Sequence, residues 1–180
     1  MNSTEQFCQV IRERSIENQA AARAVYDIGL YGQVVSILRQ ELDSLVRVIF
    51  LLDKDLSARE HYINQTLNKE KWTLPGTRTV VTDKQMVDHS SRLFGWTKSV
   101  YKFGCAFIHL SIMPNYKNEN PFQGLLEDEI IHIKRHLHEY HSFELGNELN
   151  IITIAPYLMP VLDKISSNLR GYISDLEQGR

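Results

Sequence analysis

The sequence predicts an all-α protein, a helical bundle of about five to seven helices. Apolar residues recur every three or four positions over most of its 180 residues, which is the spacing of an amphipathic helix. Strand-like sequence is confined to three residues, Thr79 to Val81, and three residues are too few to form a sheet. With 43% hydrophobic residues the chain can bury a core of its own, so we expect a single domain over residues 1–180.

The first half of the chain predicts three helices, over residues 3–26, 31–53 and 57–68. Gly29 and Gly32 separate the first helix from the second, since glycine interrupts a helical pattern. The second helix carries a broad apolar stripe. Ser57, followed three residues later by Glu60, has the pattern of a capping box and marks the start of the third helix.

The second half predicts a loop followed by four helices. Pro75-Gly76 is a turn signal, so residues 74–81 should form a loop across the bundle. Helices follow over residues 83–94, 96–113 and 122–143, and the last helix begins after Pro156 and Pro160 and continues to about residue 176. Residues 96–113 are apolar on nearly every side, so we expect this segment to be the central buried helix.

Composition and charge exclude several classes of protein. A formal net charge of −2 is unlike the strongly basic surface of a general nucleic-acid binder. Trp72 with Lys69, Lys71 and Arg78 leaves two interpretations open, a local base-stacking site and an ordered loop that packs its tryptophan. The longest fully apolar run, residues 48–52, is far too short to span a bilayer, and the polar first nineteen residues do not resemble a signal peptide. Cys8 and Cys105 should be free thiols. We therefore expect a cytoplasmic protein with no membrane contact.

Four of the seven histidines fall between His132 and His141. Histidine titrates near neutral pH, so it can act as an acid, a base or a metal ligand. On a helical projection Glu129, His132 and His136 fall on one flank, whereas His138 and His141 fall on the other. The carboxylate and two imidazoles of the first flank predict, as one alternative, a mononuclear metal site. The core face of the same helix should consist of Leu126, Ile130, Ile133 and Leu137.

Arg135 and His141 stand on this helix with five residues between them, a spacing that resembles the R-x(4–6)-H motif of the HEPN superfamily. Members of that superfamily are mostly all-helical bundles. The resemblance implies a metal-independent endoribonuclease without a cofactor, in which His141 assists attack of the ribose 2′-hydroxyl and Arg135 stabilises charge on the phosphate. Arg135 should point away from the core, and in that family the pair is often completed at a dimer interface.

A second resemblance covers about residues 30 to 115. Residues 38–52 combine an arginine, an acid one turn later and an aliphatic-aromatic run, and they look like the second helix of an uncharacterised bacterial branch of HEPN-like proteins. The companion segment of that branch, a tyrosine, a serine and a histidine at four-residue steps, is matched by Tyr101, Cys105 and His109. Cys105 replaces the usual serine.

A stripe of charged residues accompanies this second resemblance. Arg39, Asp43 and Arg47 stand at four-residue steps on one helix, where oppositely charged neighbours pair. His109 lies between apolar residues, and a buried imidazole needs a hydrogen-bond partner. We therefore predict that His109 meets the Arg39–Asp43 stripe across a helix pair, with Tyr101 nearby as part of the same polar stripe. The candidate catalytic residues are His109, Arg135 and His141.

Three functions stay open at this point. The resemblance implies a ribonuclease or toxin that cuts tRNA or other single-stranded RNA in bacterial phage defence, a toxin–antitoxin system or a stress response. The first alternative is a non-catalytic helical module that binds a partner protein or a small ligand, and the second is a histidine-ligated metal-binding bundle. We also expect a homodimer, because the outer faces of two helices carry apolar residues, Val48, Ile173 and Leu176.

Overall fold

A computed structural model describes residues 1–108 and 118–180 of the chain, except for the side chains of residues 91–94 and 106–108. Over these residues the protein is all-helical, which confirms the fold class predicted from the sequence. The helices are α1 (Ser3–Asp27), α2 (Tyr31–Leu52), α3 (Leu56–Leu67), α4 (Asp83–Phe94), α5 (Thr97–Ile108), α6 (Glu127–His141) and α7 (Ile151–Glu177). A short 3-10 helix, Pro121–Gly124, precedes α6, and Thr73 and Val80 form an isolated antiparallel bridge.

Helix α2 lies at the centre of the bundle and packs against α1, α4, α5 and α7. Buried residues occur on nearly every side of α2, from Val34 near its start to Leu51 near its end. The sequence predicts this central place for residues 96–113, and for residues 96–108 that prediction is wrong, while residues 109–113 lie outside the described residues. Lys98 and Lys102, one turn apart on α5, are both exposed and give that helix a solvated stripe.

Helix α7 begins earlier than the sequence predicted, with both prolines inside it. The Asn150 side chain accepts hydrogen bonds from the backbone N–H groups of Ile152 and Thr153, and the Thr153 hydroxyl accepts one from the Asn150 N–H. This reciprocal cap satisfies backbone donors that a helix start otherwise leaves unpaired. The cap therefore sets the beginning of α7 at Ile151 rather than after Pro160.

The connection from α2 to α3 is held by one buried arginine. Asp55, not Ser57, caps α3, since its carboxylate accepts a hydrogen bond from the Ala58 N–H. From the first turn of α3, Arg59 donates to the carbonyl oxygens of Leu51, Leu52 and Lys54. A guanidinium in this position satisfies the carbonyl groups that the end of α2 leaves without helical partners.

A buried carboxylate links three helices in the core. Glu41 of α2 is 0% exposed, and it accepts hydrogen bonds from Asn18 and Ser15 of α1 and from Ser166 of α7. All three donors are neutral side chains. Burial of a charged group requires such partners, so Glu41 fixes the relative positions of α1, α2 and α7.

Several residues predicted to lie on outer faces belong to the core. Val48, Ile173 and Leu176 are at most 3% exposed. They are therefore not available for a dimer interface, as the prediction from the sequence required. The homodimer itself stays a prediction. Conversely, Leu126 was predicted on the core face of α6, but it precedes the helix and is 71% exposed. Among the described helices, none has the length and apolar character needed to cross a membrane.

Candidate functional site

A small apolar cavity of about 90 Å³ lies between α5, α6 and α7, and we call it the α5–α7 cavity. Aliphatic and aromatic carbon atoms form its walls, and a few nitrogen-bearing side chains stand among them. Its lining includes Leu38, Trp96, Val100, Phe103, Phe122, Ile133, Leu137, Ile154, Tyr157, Leu158 and Val161. The nitrogen-bearing side chains line the cavity through their carbon atoms, so its surface is almost entirely apolar. Small molecules bind preferentially in such concave, mostly apolar sites.

Helix α6 contributes two histidines to the cavity. His136 and His141 both line it, with Ile133, Leu137 and Tyr140 between them. The sequence placed these histidines on opposite flanks, and they are separated by roughly 140° on the helix. The cavity lies against the part of the α6 surface between these two flanks, so a side chain on either flank can line it. The division of the histidines into separate groups is therefore wrong for this pair.

Lys164 approaches the same cavity from α7. Its Nζ atom lies 3.3 Å from the centroid of the Tyr140 ring and 5.8 Å from that of Trp96. Contact of an ammonium group with an aromatic face stabilises its charge without a carboxylate. Among the ion pairs of the described residues, none involves Lys164.

Burial shifts the protonation of these three groups in the same direction. Burial holds the pKa of His136 below its ordinary value, and neighbouring His132 lowers it further. Burial also lowers the pKa of His141, with a smaller contribution from the charge of Lys164. The pKa of Lys164 is lowered by burial. Both imidazoles are thus kept neutral near pH 7, in the form that accepts a proton or a hydrogen bond.

The charged stripe predicted on α2 is present and has an additional member. Arg47 Nε lies 3.0 Å from Asp43 Oδ2, and an Arg39 nitrogen lies 3.9 Å from Asp43 Oδ1. Asp83, the first residue of α4, contacts both arginines, at 2.7 Å from Arg47 and 3.3 Å from Arg39. We call Arg39, Asp43, Arg47 and Asp83 the arginine–aspartate network. Its two positive and two negative groups balance, so it joins α2 to α4 without an excess of charge.

Tyr101 lies beside this network, as the sequence predicted. The Arg39 guanidinium carbon is 4.2 Å from the centroid of the Tyr101 ring. Burial lowers the pKa of Arg39, but a hydrogen bond with Cys105 and the charges of Asp43 and Asp83 outweigh it, so the pKa is raised. Arg39 therefore stays charged, packed between an aromatic ring, a thiol and two carboxylates.

The predicted contact of His109 with this network lies outside the described residues. Two buried atoms of the network, Arg39 Nε and Asp43 Oδ1, have no hydrogen-bond partner within the part of the chain that the structure describes. The close approach of α5 to α2 is visible at Gly104, where a Cβ atom would lie 2.7 Å from the Cβ atom of Arg39. A glycine is therefore required for this helix contact.

The three residues of the alternative metal site are not brought together. Glu129 contacts Lys102 of α5 and accepts a hydrogen bond from the Leu126 N–H, and the contact with Lys102 lowers its pKa. His132 and His136 lie with their ring centroids 5.7 Å apart. Within residues 1–108 and 118–180, no group of three histidine, cysteine or acidic side chains has the geometry to hold a metal ion. The alternative of a Glu129, His132 and His136 site is therefore wrong.

Arg135 and His141 have different surroundings. Arg135 is exposed and lies roughly 160° around α6 from the centre of the cavity, as its predicted outward direction requires. His141 is half-buried, lines the cavity and lies 6.5 Å from Tyr157 between ring centroids. The structure thus assigns only the histidine of this pair to the cavity.

Of the two interpretations of Trp72, the structure confirms an ordered loop that packs its tryptophan and contradicts a base-stacking site. The indole is 3% exposed, packs against Phe50 and Tyr62, and donates its N–H to the Thr66 hydroxyl at 2.7 Å. The Arg47 guanidinium covers the ring at 5.0 Å from its centroid. No face of this ring is left for a base, so Trp72 belongs to the core.

Sequence reasoning missed Lys164, Tyr157 and Trp96 as parts of a site. Val161 follows Tyr157 by four residues and Lys164 follows Val161 by three, which places all three on one stripe of a helix. A lysine within an apolar stripe was the available signal. The prediction that α7 began only after Pro160 concealed it, because Tyr157 then lay outside the helix.

Comparison with known proteins returned no match to a family model, to a curated protein or to a solved structure.

Proposed function

We propose that this protein is a helical module that binds a small ligand in the α5–α7 cavity. The observation that carries the proposal is the placement of His136, His141 and Lys164 around one apolar cavity. Apolar walls supply affinity through burial of hydrocarbon, while polar groups at fixed positions select the orientation of a ligand. The described core contains other polar groups, but Glu41 and the arginine–aspartate network bind partners within the protein, apart from the atoms Arg39 Nε and Asp43 Oδ1.

The size of the cavity limits the ligand. An engineered apolar cavity of about 150 Å³ in another protein binds benzene. A cavity of about 90 Å³ accommodates a smaller apolar group than benzene, with roughly four or five carbon atoms. Because so few atoms make contact, we expect a dissociation constant of about 0.1–10 mM for a simple fragment.

Fluorescence of Trp96 tests this proposal with a neutral probe. Trp96 lines the cavity. The other tryptophan, Trp72, does not line it and packs against Phe50 of α2 and Tyr62 of α3. We expect 2-methylpropanol to change the emission saturably in the wild-type protein. The Trp96→Phe variant should lose the signal, and Val161→Phe, which fills the cavity, should weaken binding at least tenfold. A linear response, or saturation unaffected by Val161→Phe, would contradict the proposal.

A second candidate function is the metal-independent endoribonuclease that the HEPN resemblance implies. Two features support it: His141 is favoured in its neutral, proton-accepting form, and Arg135 is exposed to an approaching phosphate. In this proposal His141 removes the proton of a ribose 2′-hydroxyl, the 2′-oxygen bonds to the adjacent phosphorus, and the bond from phosphorus to the 5′-oxygen breaks, with the 5′-oxygen taking a proton from the protonated His141. Arg135 of a second copy of the chain stabilises charge on the phosphate.

Incubation with tRNA in EDTA tests the endoribonuclease. We expect cleavage that leaves 2′,3′-cyclic phosphate ends, and a loss of at least 100-fold in rate in His141→Ala. His132→Ala, which removes an exposed histidine of the same helix, serves as the matched control. Intact RNA, or equal rates in the two variants, would refute this function.

A further inference from the structure

We propose that the α5–α7 cavity takes a short-chain monocarboxylate, whose carboxylate group binds to Lys164, His136 and His141 while its alkyl group fills the apolar space. This inference rests on the proposed ligand-binding function and names the class of ligand. It follows from the charges around the cavity, the shape of its apolar part and the absence of a balancing acid among the described lining residues.

The described groups that line the cavity supply positive charge and no negative charge: Lys164 is the charged one near pH 7, and the two histidines become positive only at lower pH. Among the described lining residues, the three that can carry a charge near neutral pH are a lysine and two histidines, and none is an aspartate or glutamate. Lys164 rests on the Tyr140 ring instead of on a carboxylate. Elsewhere in the described chain, Arg39 and Arg47 have aspartate partners, and buried Arg59 has backbone carbonyl oxygens. Lys164 has neither kind of partner among the contacts of the described residues, so a ligand anion could bind it.

The apolar part selects the rest of the ligand. Ile133, Leu137, Leu158 and Val161 present hydrocarbon to the space, which excludes a ligand with several charges or hydroxyl groups. Tyr140 both lines the cavity and is 54% exposed, so it stands where the cavity meets solvent. Lys164 is in contact with its ring, which places the positive group near the mouth. An anionic head at the mouth and an alkyl tail inside match this arrangement.

Binding of this ligand should be coupled to protonation. His136 faces Ser99 of α5 and Lys164 of α7, with His132, Arg135 and Glu139 as charged or titratable neighbours on its own helix. His141 faces Lys164 and Tyr157 of α7. Of these neighbours only Glu139 favours the protonated form of His136. A bound carboxylate adds a negative charge beside both imidazoles, so it should favour their protonation and bind more tightly at lower pH.

Calorimetric titration with isovalerate and its neutral analogue isovaleramide tests the inference. The two probes have nearly the same shape and differ in charge. At pH 6.0 we expect the wild-type protein to bind isovalerate at least tenfold more tightly than isovaleramide, and to bind isovalerate more weakly at pH 7.5. Lys164→Met, which keeps an unbranched side chain, should bring the two affinities within twofold of each other. Lys84→Met removes one positive charge from an exposed position of α4 and should keep the preference.

The possible outcomes separate this inference from the proposed function. Equal affinities for the two probes, or a preference for the amide, would overturn the carboxylate while leaving the ligand-binding cavity intact. Binding of neither probe would overturn both. An affinity for isovalerate that does not change between pH 6.0 and 7.5 would show that His136 and His141 do not bind the carboxylate. If Lys164→Met does not fold, Lys164→Gln and His141→Gln replace it as the test variants. Each of them must then reduce the preference for isovalerate over isovaleramide at least threefold.

Discussion

At the scale of single residues, Glu41 shows how strongly one buried charge can constrain this bundle. It lies three residues after Leu38 and four before Leu45, so it occupies the core stripe of α2. A position in that stripe would ordinarily be apolar. Here three neutral donors converge on its carboxylate, and its removal would take away the acceptor that each of them uses.

We predict that Glu41→Ala lowers the free energy of unfolding by about 3–5 kcal/mol, because it creates unpaired donors and a cavity together. Urea unfolding monitored by circular dichroism measures the change. Glu17→Ala, at an exposed position of α1, is the control and should change stability by less than about 0.5 kcal/mol. A loss in Glu41→Ala no larger than that of the control would mean that the buried cluster does not hold the helices together.

Individual residues also mark the limit of prediction from sequence. The sequence identified His136 and His141 as unusual and Arg39, Asp43 and Tyr101 as neighbours, because these relations follow from spacing along one helix or from a stated resemblance. Asp83 was not predicted within the network, and Lys164 was not predicted beside the histidines. Both come from other helices, and their placement depends on how helices pack, which no spacing within one helix determines.

At the scale of helices, α7 shows why local signals can mislead. Each proline within a helix costs about 3 kcal/mol, which is why the sequence predicted a start after Pro160. Each fully buried leucine or isoleucine contributes about 1.5–3 kcal/mol. Burial along α7 therefore outweighs two prolines, since the helix buries Ile154, Leu158, Leu162, Ile165, Leu169 and Ile173. Helix existence was predictable from periodicity, whereas this boundary depended on packing and on the Asn150 cap.

The contact between α5 and α2 at Gly104 gives a prediction at the same scale. We expect Gly104→Ala to destabilise the protein by about 1–3 kcal/mol, because the new Cβ atom would overlap the Cβ atom of Arg39 and force the helices apart. Gly171→Ala in α7 is the matched control. Its new Cβ atom meets open space, so it should stabilise the helix by about 0.5–1 kcal/mol. Stabilisation by both substitutions in urea unfolding would contradict the close approach of α5 to α2.

At the scale of the whole molecule, stability should depend on pH through the cavity. The pKa values of His136 and His141 are lowered by burial, so the unfolded chain binds protons more readily than the folded protein does. The free energy of unfolding should therefore be unaffected by these groups well above pH 6.5 and should fall as the pH drops below it. The carboxylates of Glu129 and Glu177 have lowered pKa values and affect stability only at more acidic pH.

We predict that the fall in unfolding free energy between pH 7.5 and 5.5 becomes shallower in His136→Gln and in His141→Gln. His138→Gln, at an exposed position of the same helix, is the control and should keep the wild-type slope. Urea unfolding at several pH values provides the measurement. Identical slopes in all four proteins would show that protonation at the cavity does not oppose folding. Saturating isovalerate should also reduce the slope, because a bound anion offsets the cost of the protonated histidines.

The central claim is that the α5–α7 cavity is the functional site of this protein and that it takes a carboxylate. Titration of ¹⁵N-labelled protein with isovalerate, followed by NMR, tests it most directly. We predict saturable chemical-shift changes centred on Trp96, Leu137 and Val161, which decline with distance from the cavity and need at least tenfold more isovalerate for saturation in Lys164→Met. Shifts that never saturate, or that centre on the arginine–aspartate network instead, would contradict the claim.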